Sequence, residues 1–545
     1  MREIIETIQH IPFTNLPGFS RSWRAVTAGE SSGDLYLREP MSVSACREAA
    51  EETLRQERPW RELADLLEQG GKRYGVPETT LARLSTLREG KAVMVVTGQQ
   101  VGYLGGPFYT FLKAYHATRL AARLEKELAR PVLPLFWLEG EDHDLEEVRD
   151  AHFFDRNGEL QTLRFEPPEE ISGYEVGRYA VNADRHIAQL AEASGEVNED
   201  GVALLREAYS QTTLSDGMGR LLARTLGSRG LLIVEGMEPE LKRMAAQLWE
   251  KVIAGGRRLG EILETRSSEL RANSWSAILS PTPDAYLFYL TGEDHVRASL
   301  TYEGEVRHPS GKTERFEKEA LLRVARDASE RISPKAALRP LYQDFVLPTI
   351  AYVAGPGELD YQAQIAPFYR ELEVTSPVLF PRMSVTLLDE RAARAVEKSG
   401  ISIERLLTEE QHVLARELVH EQNEGRAEEL FASARREIEE VFARIKKEIA
   451  EIDPTLEGAA QTGAGKSLHP LEQLREKAER ALKQKHGTLL ARLEKALLLV
   501  KPQDQLSERV LGTGYRLVKL GEKALLELLD SLSDEQQHQV VSVDR

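Results

Sequence analysis

The sequence has little of what several large classes of protein require. It contains one cysteine, Cys46, in 545 residues, which excludes an internal disulfide framework and is typical of a reducing compartment. No apolar run approaches the roughly 18 residues that a membrane-spanning helix needs. The first residues, MREIIETIQHIPF, also lack the charged-then-apolar pattern of a secretion signal. We therefore expect a cytoplasmic protein without a membrane segment.

Basic charge is also in short supply. The chain has 88 acidic against 71 basic residues and a formal net charge of −17. Such a surface repels polyanions on average, so nucleic acid is not an expected partner, and phosphate binding requires a local basic pocket. Cys46 lies in SACREAAEETL, which is typical of a helix, and without an identifiable histidine partner it is expected to be a packed thiol.

The chain is long enough for about two to four domains, and its middle part predicts an α/β core. A strand at 92–97, a glycine-rich loop, a helix at 107–129 and a strand at 132–138 form a βαβ unit. Further buried strands are predicted at 231–235, 345–353 and 378–382, and hairpins around Asn157-Gly158 and at 299–316. We expect a core over 1–385 with one parallel sheet, interrupted by two inserted segments near 156–215 and 285–335.

Residues 386–545 are charged and predicted to be helical almost throughout. Apolar residues follow a heptad spacing at Phe431, Ile438, Phe442, Ile445, Ile449 and Ile452. A second helical run at 471–500 is expected to fold back after a loop, GAAQTGAGKSLHP. The apolar seam would then be covered within one chain or by a second copy. The segment AQTGAGKS departs from the phosphate-binding loop pattern at Ala460 and follows no strand, so we predict a flexible turn.

Ligands of open parallel sheets bind beyond the carboxyl ends of the strands, so the loops there are the candidate site. After the first strand comes TGQQVGYLGGP, which leads into a helix that starts at proline and offers free N–H groups to an anion. Thr110 and Lys113 share the helix face opposite the sheet-facing residues. The candidate ligand-binding residues of this loop and helix are Gly98, Gln99, Gln100, Gly105, Gly106, Thr110 and Lys113.

The second strand ends in an acidic cluster, WLEGEDHD, that contains Trp137, Glu141, Asp142, His143 and Asp144. Three interpretations remain open. Asp144 begins a capping box with the residue three positions later. Asp142, His143 and Asp144 bind a divalent metal. His143 is a neutral base held by a carboxylate.

A third loop, AYVAGPGELDYQAQI, places Gly355 and Gly357 directly after a strand and Glu358 and Tyr361 in the first turn of a helix. This pattern is consistent with a capped turn alone. Two glycine-proline loops at strand ends of one sheet nevertheless favour a shared crevice.

The segments TGQQ with GGPFYTFLKA, FWLEGEDHD, LRPLYQDFVLPTIAYVAGPGELDYQAQ and PRMSVTLL closely resemble the bacillithiol cysteine-adding enzyme family. The resemblance extends in order over nearly the whole chain, more weakly beyond 386. It implies a Rossmann-like core with two inserted connecting segments and a C-terminal α-helical coiled coil that forms a homodimer. It also implies a ligase that attaches L-cysteine to glucosaminyl-malate in the last step of bacillithiol biosynthesis.

The resemblance implies ATP as co-substrate, accompanied by Mg²⁺, and no tightly bound metal. The two nucleotide signatures of class I aminoacyl-tRNA synthetases are not present as such, although Arg382-Met383-Ser384 is similar to the second. On this hypothesis Lys113 stabilises developing charge, His143, oriented by Asp142 or Asp144, accepts the amine proton, and Arg382 pairs with a substrate carboxylate. Two alternatives are a metal-dependent hydrolase using residues 139–144 and a non-catalytic nucleotide-binding coiled-coil scaffold.

Overall fold

The computed structural model describes residues 5–30, 34–292, 295–422 and 426–543, and these divide into two compact units. The core unit comprises the chain up to Leu387 together with the segment from Ser507 onward. The helical unit comprises Leu388–Leu506.

The core unit is built on one five-stranded sheet. Its strands are β1 (Val93–Gln100), β2 (Val132–Glu139), β3 (Leu232–Glu235), β4 (Thr349–Ala354) and β5 (Val378–Pro381). They are all parallel and follow the order β5-β4-β1-β2-β3, which confirms the predicted α/β class. The predicted strand at 345–353 begins late, because residues up to Val346 belong to a helix that Pro340 opens in its first turn.

Helices cover the sheet, so its strands are apolar on both faces. Helix α1 (Phe108–Leu128) and the helix Val43–Arg55 contribute alanines and leucines that pack against the valines of β1 and β4. Cys46 lies in this layer and is fully buried, and burial raises the pKa of its thiol to about 12. The packed interpretation of this cysteine therefore fits its position.

Two inserted pieces contain antiparallel strands, as predicted. The first begins with the hairpin Asp150–Phe154 and Leu160–Arg164. The second is a five-stranded sheet formed by Asp284–Thr291, Val296–Thr301, Glu305–Arg307, Thr313–Arg315 and Ile332–Pro334. The other helices of ten or more residues in the described core unit are Trp60–Tyr74, Asp184–Ser194, Glu199–Tyr209, Leu214–Leu226, Ala246–Gly255, Arg258–Ala272, Lys318–Asp327, α2 (Pro356–Glu371) and Glu522–Ser531.

The helical unit contains a long antiparallel pair, α3 (Arg426–Ile452) and α4 (Glu457–Lys485). Ion pairs between Arg435 and Glu472 (3.3 Å) and between Lys446 and Glu457 (3.5 Å) fix their register. Shorter helices are Glu390–Ser399, Ile403–Thr408, Gln411–Gln422 and Gly487–Val500.

The predicted flexible turn at GAAQTGAGKSLHP is wrong, since residues 458–470 lie inside α4. The chain reverses earlier, at Pro454–Leu456. Small residues serve helix packing here: a Cβ at Gly463 would lie 3.0 Å from the ring of Phe442 on α3. A helical segment without a preceding strand has no phosphate-binding loop.

The prediction that 386–545 form one helical domain needs correction at its C-terminal end. The segment from Ser507 onward belongs to the core unit and ends in a strand, His538–Val543, which pairs antiparallel with Ile5–Ile11. Ser384–Leu388 completes this three-stranded sheet. Charge patterning could not reveal the return, because the decisive contact is long-range: the buried Glu508 forms an ion pair with the buried Arg382 at 2.6 Å.

No helix in the described part of the chain combines the length and apolarity needed to cross a membrane.

Candidate functional site

A cleft of about 590 Å³ opens at the carboxyl ends of the parallel strands, as expected for a sheet of this kind. All three predicted loops reach it. From the predicted set, the lining residues are Gly98, Gln99, Gln100, Lys113, Asp142, His143, Gly355, Gly357, Glu358, Tyr361 and Arg382.

The floor of the cleft is an ion pair between Lys113 of α1 and Glu358 of α2, with Nζ 2.6 Å from Oε2. Glu358 also accepts hydrogen bonds from the Tyr352 hydroxyl (2.6 Å) and from the backbone N–H of Gly355 (2.6 Å). Burial opposes ionisation of Glu358, but Lys113 and these donors outweigh it and hold the pKa of the carboxyl below its usual value. Glu358 is thus a fixed anion. Lys113 Nζ also donates to the Gly98 carbonyl and to Gln99 Oε1 (3.3 Å), and burial lowers the pKa of Lys113 although Glu358 opposes this shift.

Glu139, at the end of β2, forms one wall. Its Oε2 accepts a hydrogen bond from the Trp137 indole (3.0 Å) and lies 3.8 Å from the Arg339 guanidinium. Burial raises the pKa of Glu139 to about 7, although Arg339 opposes this shift. Arg339 in turn donates to the Tyr361 hydroxyl at 3.2 Å.

His143 also lines the cleft, beside Asp142 and Arg297. Arg297 Nη1 is 3.2 Å from His143 Nδ1, and Asp142 Oδ1 is 3.5 Å from both the Nδ1 atom and the guanidinium. Burial and the guanidinium lower the pKa of His143, so the ring is neutral near pH 7. Arginine can only donate, so Nδ1 accepts and the ring hydrogen resides on Nε2. The ring therefore offers a hydrogen-bond donor, and its predicted role as a base held by a carboxylate does not fit this geometry.

Another part of the cleft lining consists of two arginine guanidinium groups near the phenol ring of Tyr109. The guanidinium carbons of Arg382 and Arg509 lie 5.2 Å and 5.9 Å from the centre of the Tyr109 ring. Arg382 is held by Glu508, whereas Arg509 is exposed. Arg509 comes from the segment that returns to the core unit after the helical unit.

Family models cover almost the entire chain. The model described as "Bacillithiol biosynthesis BshC, N-terminal Rossmann-like domain" matches residues 9–383. The model described as "Bacillithiol biosynthesis BshC, C-terminal coiled-coil domain" matches residues 385–543. The chain belongs to the bacillithiol biosynthesis BshC family. Both the resemblance drawn from the sequence motifs and the Rossmann-like and coiled-coil classes are thereby confirmed.

Individual members of the BshC family match over similar lengths. A protein of Salinibacter ruber named "Putative cysteine ligase BshC" is 31% identical over 520 residues, which cover 94% of each chain. The protein of the same name from Koribacter versatilis is 29% identical over 476 residues, covering 87% of this chain and 88% of its own. That from Geobacillus sp. (strain WCH70) is 27% identical over 477 residues, covering 86% and 88%. The resemblance implied an enzyme of bacillithiol biosynthesis, and the names of the matching family models and proteins agree with this prediction.

Seven predicted residues lie outside the cleft. The glycine loop is buried, and its N–H groups already have acceptors: Gly105 N–H donates to Gly102 and to the Tyr209 hydroxyl, and Gly106 N–H donates to Tyr103. Thr110 is buried beneath this loop. The predicted anion site at Gly105, Gly106 and Thr110 is therefore corrected, and the part of the loop that reaches the cleft is Gly98 to Gln100.

The other residues that do not line the cleft have structural partners. Glu141 forms a buried ion pair with Lys242, and the Trp137 ring packs edge-on against Tyr342. Asp144 caps the short helix that follows it, accepting from the Glu147 N–H at 3.3 Å as in the capping interpretation. Ser384 donates to Glu508 at 2.9 Å in the interior.

Sequence reasoning missed several lining residues. Arg297, Phe288 and Lys335 come from the second inserted sheet, and Arg297 and Lys335 flank the Phe288 ring at 4.1 Å and 4.6 Å. Arg339 begins the motif RPLYQD, which starts a helix just before a buried strand. Its charge at the start of that helix was a signal that could have identified it. Arg297 reaches the cleft because its strand pairs with the strand Asp284–Thr291, and the sequence around Arg297 does not indicate this pairing.

A divalent metal at residues 139–144 has little support from side-chain geometry. Within the described ranges no three His, Cys, Asp or Glu side chains converge as metal ligands. Asp142 is directed to Gln100 (2.6 Å), to Arg297 and to the following backbone N–H.

Proposed function

We propose that this chain is a ligase that joins the carboxyl group of L-cysteine to the amine of glucosaminyl-malate, using ATP, in the last step of bacillithiol biosynthesis. The observation that carries the proposal is the charge of the cleft. Six cationic side chains line it against four carboxylates (Glu139, Asp142, Glu147 and Glu358), an excess of basic groups in a chain of net charge −17. The cations are Lys113, Arg297, Lys335, Arg339, Arg382 and Arg509. A basic pocket of this size suits small substrates that carry carboxylates and phosphates.

The chemistry needs an activated carboxyl group, because a carboxylate is a poor acyl donor. ATP supplies the phosphoryl or adenylyl group, and the amine then displaces it. The Lys113 ammonium and the Nε2–H of His143 are fixed donors that can stabilise negative charge developing on the acyl group or the phosphate. Arg509 suits a carboxylate of malate, since its guanidinium is exposed and guanidinium groups pair with carboxylates in a bidentate manner. The predicted pairing of Arg382 with a substrate carboxylate does not fit, because its Nη atoms donate to Glu508 and to the Met383 carbonyl.

Reconstitution tests this function. The purified full-length protein is incubated with L-cysteine, glucosaminyl-malate, ATP and Mg²⁺, and labelled thiols are measured by mass spectrometry. We expect bacillithiol only in the complete mixture. Product without ATP would contradict the proposal, and hydrolysis of a substrate that stops on chelation would favour the hydrolase. Nucleotide binding without any turnover would favour the scaffold.

A matched pair of variants ties activity to the cleft. Lys113→Met removes the buried cation and is expected to lower kcat by about 10²–10³-fold, the usual effect of losing one electrostatic donor. Lys126→Met makes the same change at an exposed position of the same helix and is expected to leave kcat unchanged. Equal activities of the two variants would refute the assignment of Lys113.

We also infer a homodimer that forms through the helical unit. Leu430, Ile452 and Leu474 on α3 and α4 are 66%, 80% and 57% exposed, which is unusual for leucine and isoleucine in a coiled coil. In sedimentation analysis the parent chain is expected to be a dimer and Leu430→Lys/Ile452→Lys a monomer, whereas the exposed polar control Glu448→Lys stays dimeric. An unchanged mass of the double variant would refute this interface.

We also propose a cytoplasmic location, because the proposed reaction uses ATP and forms a reduced thiol.

A further inference from the structure

The cleft contains a carboxylate that no part of the proposed reaction has used so far. We propose that Glu139 is the general base that accepts the proton of the attacking amine. The inference rests on the proposed ligase function and assigns one step of it to a named atom.

The other ionisable groups of the cleft are already engaged. Glu358 accepts from Lys113, Tyr352 and the Gly355 N–H. Asp142 accepts from Gln100 and the His143 N–H and lies beside Arg297. Glu147, which also lines the cleft, accepts from Gln100 at 2.8 Å. Arginine is protonated and cannot act as a base. Lys113 and Lys335 are held by Glu358 and Asp284, and His143 carries its hydrogen on the free nitrogen. These groups hold charge or donate, so they cannot readily take a proton from an amine.

Glu139 differs from them in its partners. Its Oε2 accepts from the Trp137 indole, which fixes the orientation of the carboxyl group. Among the residues that the structure describes, Oε1 accepts no hydrogen bond. The side chain lines the cleft and is 14% exposed, so this oxygen is within reach of a bound substrate.

The electrostatic surroundings suit a base that works near neutral pH. Burial raises the pKa of Glu139 to about 7, Glu141 and Asp142 also raise it, and Arg339 and Arg297 lower it. A base whose pKa is near the working pH is partly ionised and still holds a proton well. The fixed Arg339 guanidinium at 3.8 Å keeps a useful fraction of Glu139 in the carboxylate form.

The step balances as follows. The neutral amine nitrogen forms the new C–N bond to the activated cysteinyl carbon, and the C–O bond to the phosphate or adenylate leaving group breaks. The leaving group departs with the electron pair, and the proton of the nitrogen passes to Glu139 Oε1. Water takes this proton after product release.

Hydroxylamine separates this step from cysteine activation. It is an unprotonated nucleophile at neutral pH and needs no base, so it converts activated cysteine to the hydroxamate whichever activated form is present. We expect Glu139→Gln to form cysteine hydroxamate from ATP and cysteine at close to the parental rate, and to form bacillithiol about 10²–10⁴-fold more slowly. Glu139→Asp should recover part of the loss. Glu146→Gln, an equivalent change at an exposed position outside the cleft, should change neither rate.

The pH profile gives a second measure. Bacillithiol formation should rise with pH through about 7 as Glu139 ionises. Arg339→Met removes the main cation beside it and should move this limb to higher pH, an effect that ionisation of the substrate amine cannot produce.

The outcomes distinguish the two proposals. If the parent protein forms neither product, the ligase function fails. If the parent forms both and Glu139→Gln retains both rates or loses both equally, or the limb stays in place in Arg339→Met, the assignment of Glu139 is overturned.

Discussion

Removing one partner of the buried ion pair between Arg382 and Glu508 should strongly destabilise the core unit. Glu508 accepts from the Arg382 guanidinium (2.6 Å), the Ser384 hydroxyl (2.9 Å) and the Val385 N–H (2.7 Å), and both charged side chains are at most 1% exposed. Glu508→Gln removes the negative charge and presents an N–H group to one of three donors. Removing one partner of a buried pair leaves an uncompensated charge, which costs about 3–5 kcal/mol.

Urea unfolding followed by tryptophan fluorescence measures this loss, because all five tryptophans of the chain lie in the core unit. Glu508→Gln is expected to lower the free energy of unfolding of that unit by about 3–5 kcal/mol. The control Glu535→Gln alters an exposed carboxylate near His10 and should change it by less than about 1 kcal/mol.

A double-variant cycle tests whether the two side chains act together. Arg382→Met alone leaves the Glu508 carboxylate without its cation, and the double variant Arg382→Met/Glu508→Gln removes both charges. Its loss of stability should be smaller than the sum of the single losses by about 1–3 kcal/mol. Additive losses, or a loss below about 1 kcal/mol for Glu508→Gln, would refute the reasoning.

Three further results are expected. His538 is buried and its pKa is lowered to about 4. The folded state thus binds fewer protons than the unfolded one, so stability is lost as pH falls from about 6.5 towards 4. His538→Gln should flatten this decline, as measured by thermal unfolding at different pH values. Gly98→Ala should lower both the free energy of unfolding and the activity, because the new Cβ would lie 2.9 Å from the Trp137 carbonyl oxygen in the neighbouring strand. Arg509→Met should raise KM for glucosaminyl-malate about tenfold or more with little change in stability, since its side chain is exposed and the interaction is charge-assisted.

Each of these results has a contrary outcome. An unchanged acid limb in His538→Gln would assign the decline to other groups, and a fully stable Gly98→Ala would show that the strands can separate locally. A change in kcat alone for Arg509→Met would place that residue in the chemical step.

The sequence predicted the sheet and much of the cleft because both follow local rules. Strand-ending loops lie at one edge of a parallel sheet, and this alone brought Lys113, Asp142 and Glu358 together. The burial of the glycine loop could not be judged locally, because the Tyr209 hydroxyl and the Leu511 carbonyl, which accept hydrogen bonds from the N–H groups of Gly105 and Phe108, come from distant segments.

The residues that sequence reasoning missed depend on long-range pairing. Arg297 reaches the cleft because its strand pairs with a neighbour in the inserted sheet, and Arg509 because the chain re-enters the core unit after the helical unit. Neither event has a signature in composition or periodicity. Glu139 was visible as one acid in a cluster, but its distinction from Glu141 depends on side-chain direction: one faces the cleft and the other pairs with Lys242.

The strand His538–Val543 pairs with Ile5–Ile11, so the two extremes of the described chain meet in one sheet. During synthesis, the ribosome must therefore have made the chain up to about Val543 before this sheet can form. Until then Arg382 lacks Glu508, and the cleft lacks Arg509. A product cut short after the helical unit would retain most of the parallel sheet but neither of these contacts. The cleft is thereby complete only after the segment from Ser507 onward has been synthesised.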